Sequence, residues 1–100
     1  VDVTRSELFD ILKQSRELLA RPSNCFDWSS WEDAEDALRE MDALIDILTW
    51  GGLPDRLVVS VLFAPTGPIQ EVSLSNGWAY EFLILAERFD RAEKLAYKCS

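Results

Sequence analysis

Trp31, Ala34, Leu38, Met41, Ile45 and Leu48 recur at spacings of three, four, three, four and three residues. Only an α-helix, turning once every 3.6 residues, brings all six back to one side of a backbone. Ala37 and Leu44 widen this stripe, and a face so apolar has to be buried against other elements. Gly51-Gly52 stops the helix. Ser29 and Ser30, each three residues before an acid, are both placed to cap its start.

The surface that covers this helix must come from the rest of the chain. Thr4-Arg5-Ser6-Glu7 has the spacing of a capping box, and Leu8, Ile11, Leu12, Ser15, Leu18 and Leu19 follow it at helical spacing. Pro22 lies just past the end of this first helix. Residues 57–64 then form an apolar, β-branch-containing run of strand length. Ala64-Pro65-Thr66-Gly67-Pro68 turns the chain, and Val72 and Leu74 alternate with Glu71, Ser73 and Ser75 as a second strand would. Asn76-Gly77 also suits a hairpin turn, which would make residues 78–86 a third strand. The spacing of Trp78, Phe82, Leu85, Phe89, Ala92 and Ala96 runs far past strand length, however, and predicts a helix. The expected architecture is a single α+β domain over residues 1–100, in the order ααββα, with helices packed on a two-stranded antiparallel hairpin.

With 18 acids, 10 bases and no histidine, the chain carries a net charge of −8. Such a balance repels phosphate backbones and anionic membrane surfaces, so direct nucleic-acid binding is not expected. The longest uninterrupted apolar run, Phe82 to Ala86, is far too short to cross a bilayer, which takes roughly 20 residues. The charge is also localised. Residues 1–26 are balanced, residues 47–100 sum to −1, and residues 27–46 hold Asp27, Glu32, Asp33, Glu35, Asp36, Glu40, Asp42 and Asp46 against Arg39 alone. At 3.6 residues per turn the acids after Trp31 occupy the side of the second helix opposite its apolar stripe. Acids in the first turns are favoured by the helix dipole, but Asp42 and Asp46 lie too far along to benefit.

Phe26, Trp28 and Trp31 cluster at the start of this acidic stretch. Trp31 begins the apolar stripe and belongs in the core, whereas Trp28, between Asp27 and Ser29, stands where an indole would anchor a partner. Trp50 beside Gly51 and Trp78 beside Gly77 read as core residues closing helix ends.

Catalysis finds little support in these residues. Acid–base chemistry would fall to pairs such as Asp33 with Glu40 or Glu32 with Asp36, which belong to an exposed helix face rather than a cleft that separates their pKa values. A Ser or Cys nucleophile would have no histidine base. Pro65-Thr66-Gly67-Pro68 has one glycine and no following lysine, unlike a phosphate-binding loop. Cys25 and Cys99, with no CxxC and no histidine, do not make a zinc site, and free thiols in a cytoplasmic protein are expected in preference to a disulfide. Neither a cofactor nor a metal is expected.

The run from Phe63 through Trp78, followed by Glu81-Phe82-Leu83, resembles a type of small bacterial protein of uncharacterised function. Small acidic proteins of this kind are similar in style to immunity proteins, and that resemblance implies a protein that binds and neutralises a secreted toxin. It supplies no residue motif, so no functional position follows from it. From the charge pattern itself, the expected partner is a basic protein such as a toxin domain, covered at its active site by the acidic helix. Asp27, Trp28, Glu32, Glu35, Asp36, Glu40, Asp42 and Asp46 are the expected contacts. The alternative is a self-associating subunit, a homodimer joined through open hairpin edges.

Overall fold

A computed structural model describes residues 3–27, 29–65 and 67–97. The regular elements are α1 (Val3–Leu19), α2 (Ala34–Thr49), α3 (Arg56–Leu62), α4 (Pro68–Asn76) and α5 (Ala79–Ala96). No strand occurs among the described residues.

The three long helices follow from their apolar periods. Leu8, Ile11, Leu12, Ser15 and Leu19 of α1 are fully buried, and Ser15 satisfies its hydroxyl by donating to the Ile11 carbonyl one turn back. Ala37, Met41, Leu44 and Ile45 of α2 and Phe82, Leu85, Phe89 and Ala92 of α5 meet them in one core. Helix α1 is the central element and packs against both α2 and α5. It runs antiparallel to α2, since Arg16 meets Asp42 at one end and Arg5 donates to the carbonyls of Gly51 and Gly52 at the other. It is antiparallel to α5 as well, with Arg88 near Glu7 and Asp10, and Glu81 near Arg21.

The α+β expectation fails at the two middle elements, because both expected strands are helices. The residue after Pro54 starts α3: the Asp55 carboxylate accepts from the Leu57 amide as an N-cap. Val59 and Leu62, three apart, then turn into the core while Val61 stays exposed. Pro68 stands at the first position of α4, where its missing N–H costs nothing. Val72 is buried and Leu74 exposed, which a strand, placing both on one face, would not allow. The buried set Ile69, Val72 and Ser73 has helical spacing. The expected hairpin is accordingly replaced by two consecutive helices, α3 ending at Leu62 and α4 beginning at Pro68. With no strand among the described residues, pairing of two copies through a hairpin edge loses its basis.

Gly67 makes this turn tight. A Cβ at this position would stand 2.2 Å from the Val61 carbonyl oxygen and 3.1 Å from those of Leu62 and Ala64. Gly77, in the left-handed region at φ 81°, closes α4, so Asn76-Gly77 is a helix end and not a β-turn.

Two asparagines tie the loop after α1 to the α4–α5 junction. Asn24 donates to the carbonyls of Leu18 and Leu19 at the end of α1 and accepts from the Trp78 indole. Asn76 accepts from the Cys25 amide at 2.7 Å and donates to the Cys25 carbonyl at 2.8 Å. Phe26 and Trp78 are buried as a result. Cys25 is exposed, while its expected relation to Cys99 lies outside the described residues.

Two further expectations are corrected. Asp33, not Ser29 or Ser30, caps α2, its carboxylate accepting from the Asp36 amide. The Ser29 hydroxyl instead accepts from the Trp31 amide and lies at 3.1 Å from the Phe26 and Trp31 carbonyls to which it can donate. Trp50 is 87% exposed: it is the C-cap of α2, and its indole is not part of the core that the helices bury.

Candidate functional site

The acidic stretch does not form one uniform free surface. Asp27, Glu32 and Asp33 precede α2, contrary to the expected helix from Trp31, and helix geometry spreads the remaining acids, with Asp42 on the edge toward α1 and Glu40 on the edge toward α3.

On the α1 edge, Asp42 accepts from Arg16 through both oxygens. The guanidinium holds the Asp42 carboxyl below the usual carboxylate range, and the carboxylate in turn raises Arg16. Asp42 therefore serves the α1–α2 contact before it serves any partner. At the start of the helix, Asp36 receives the Glu32 amide while its own amide goes to Asp33. Asp33 thus caps the helix while Asp36 holds the amide of the residue before the cap, one position short of the reciprocal capping box. Asp36 also lies 3.7 Å from Arg39. Glu40, on the α3 edge, accepts from the buried Trp31 indole at 2.6 Å. Of the expected contacts, Asp36, Glu40 and Asp42 thus have intramolecular work. Asp27, Glu32, Glu35 and Asp46 are exposed and their carboxylates make no ion pair among the described residues. Trp28 lies outside the described residues.

Of the carboxylates named for acid–base chemistry, Asp33 and Asp36 accept backbone amides at the helix start and Glu40 accepts from Trp31, while Glu32 is exposed. Among the described residues no group of three or more His, Cys, Asp or Glu is placed to hold a metal ion. No helix among them is long and apolar enough to cross a membrane.

Alongside the α3 edge lies a surface that the strand expectation hid. Leu57, Val58 and Val61 project from α3 with 72%, 40% and 51% of their surface exposed. Helix α3 packs chiefly on α4, so one side of it is left open. These three side chains, with Ser30, Glu40, Leu62 and Pro68, line an open groove of about 370 Å³. Adjacent apolar residues on an exposed helix are the usual mark of an interaction surface. Burying such side chains yields about 1.5–3 kcal/mol each. The legible signals for this arrangement were Asp55 two residues before Leu57, in N-cap position, and the three-residue spacing of Val59 and Leu62. Seven residues are too few for that spacing to outweigh β-branched composition.

The chain was compared with protein-family models, curated proteins and solved structures, and none matches.

Proposed function

We propose that this chain is a small acidic protein-binding module of the inhibitor type, an immunity-like protein that neutralises a basic toxin domain by covering its active site. The observation that carries this is the meeting of the acidic α2 face with the exposed apolar side of α3, at the groove where Glu40 stands beside Leu57, Val58 and Val61. Apolar contacts supply affinity, and surrounding charge supplies encounter rate and partner choice. Glu32, Glu35 and Asp46 are the carboxylates free to do the latter, with Asp27 at the loop that leads into them.

The corresponding experiment immobilises the protein and a Glu32→Lys, Glu35→Lys double variant side by side in extract of the native host. Stoichiometric recovery of one basic protein by the parent, reduced by salt and by the charge reversal, is the expected result. Recovery of the same proteins on both would sink the acidic-face assignment. A recovered toxin domain would then be assayed for inhibition, which separates an inhibitor from a mere binder.

A further inference from the structure

We infer that the groove between α3 and the Glu40 edge of α2 receives a cationic amphipathic helix. This rests on the docking reading above and specifies the shape and chemistry of the segment that docks.

Three features select that occupant. First, the floor is a helical stripe, Leu57, Val58 and Val61, all substantially exposed. An opposing helix can match such a stripe with apolar side chains spaced three and four apart. Second, α3 spends its backbone groups within the helix, and no strand edge exists among the described residues. A partner strand therefore finds no ladder to extend, so recognition has to proceed through side chains. Third, the groove lining includes Glu40 and no Lys or Arg. Glu40 already accepts one hydrogen bond from Trp31, yet a carboxylate has lone pairs to accept more. Asp36, one turn before it, lies outside the groove lining and is 3.7 Å from Arg39, so Glu40 is the charge the groove itself presents. A helix with an apolar face on α3 and a Lys or Arg on the flank facing Glu40 satisfies both sides of the groove together. A second copy of this chain, itself at −8, would bring acid against acid at this edge.

The probe is a synthetic helix-forming peptide of leucine and lysine, with leucines at positions i, i+3, i+4 and i+7 and a fluorescent label. A scrambled peptide of identical composition serves as the charge control. The amphipathic peptide is expected to bind at least tenfold tighter than the scrambled one, as read by anisotropy at moderate salt. Leu57→Asp and Val61→Asp, both at exposed positions, should remove that difference, with circular dichroism confirming that each variant keeps its helix content. Glu40→Gln retains an acceptor for Trp31 and should weaken the peptide while leaving the melting temperature nearly unchanged. Equal binding of both peptides, or indifference to Leu57→Asp and Val61→Asp, would overturn the inference. So would sedimentation showing a dimer that these two substitutions dissolve.

The two proposals fail separately. A host partner lost on reversal of Glu32 and Glu35 but insensitive to Leu57→Asp would leave the docking reading in place and remove this one. Peptide binding at the groove with no basic partner recovered from the host would do the reverse.

Discussion

Arg16 on α1 grips Asp42 on α2 with two hydrogen bonds, Nε to Oδ1 at 2.5 Å and Nη2 to Oδ2 at 3.2 Å. The pair crosses the contact between the two helices and converts one acid of the negative face into an internal strut. Both side chains remain partly in water, at 35% and 48% exposure, so the pair is worth about 0.2–1 kcal/mol, as exposed ion pairs usually are. Asp42→Asn should lower unfolding free energy by an amount in that range, and less in high salt. It should slow association with a basic partner less than Glu35→Gln does, because Glu35 is exposed and Asp42 is already neutralised. Stopped-flow association rates for the two variants check this; a larger effect at Asp42 would contradict it.

Acid stability is expected to depend on Arg88. Its guanidinium lies 2.9 Å from carboxylate oxygens of both Glu7 and Asp10, and these hydrogen bonds hold both carboxyls below their ordinary range. In the unfolded chain the same groups take up protons near pH 4. Because the folded values are the lower ones, this contribution is fully present above the unfolded values and disappears as pH falls through the folded ones. Asp42 acts in the same direction through Arg16. Urea unfolding followed from pH 6 to pH 3 should show a steep loss of stability, flattened in Arg88→Met. An unchanged acid limb in that variant would show that the pairing does not matter to folding.

Gly67→Ala is expected to be among the most damaging single-methyl additions. The new Cβ would meet backbone oxygen at 2.2 Å, and a carbonyl held inside a helix cannot swing aside as a flexible side chain can. A cost of about 1–3 kcal/mol or more follows from overpacking of this kind. Thermal unfolding measures it, and a variant melting with the parent would mean that the α3–α4 turn is looser than described.

Asn76→Asp tests the clasp on the Cys25 peptide. The aspartate can still accept from the Cys25 amide but cannot donate to the Cys25 and Val72 carbonyls, as Asn76 does. Losing hydrogen bonds of this sort costs about 0.5–1.5 kcal/mol each. Hydrogen exchange should quicken in residues 24–26 before it does in α1. Uniform acceleration throughout the chain would indicate a global rather than a local role.

Residues that repeat over several turns were legible from the chain alone. The stripes of α1, α2 and α5 span 16 to 18 residues each, long enough for a 3.6-residue period to separate from alternation, and their buried positions are those the spacing indicates. At seven and nine residues, α3 and α4 are too short for that. Two apolar positions three apart in a β-branched run fit a helix or a strand, and the choice falls to the Asp55 cap, the Gly67 approach and Pro68 at N1. These are features whose weight depends on neighbours in space.

The acidic face divides in the same way. That residues 27–46 concentrate the charge, and that it lies opposite the apolar stripe, followed from composition and helix geometry. Which carboxylates stay free did not. Asp42 finds Arg16 across 26 positions because α1 packs on α2, Glu40 receives the Trp31 indole, and Trp50 stands in solvent. Period and charge are local properties carried by the order of residues. Pairing and exposure depend on which edge of one helix another covers, and that is decided only when the helices pack.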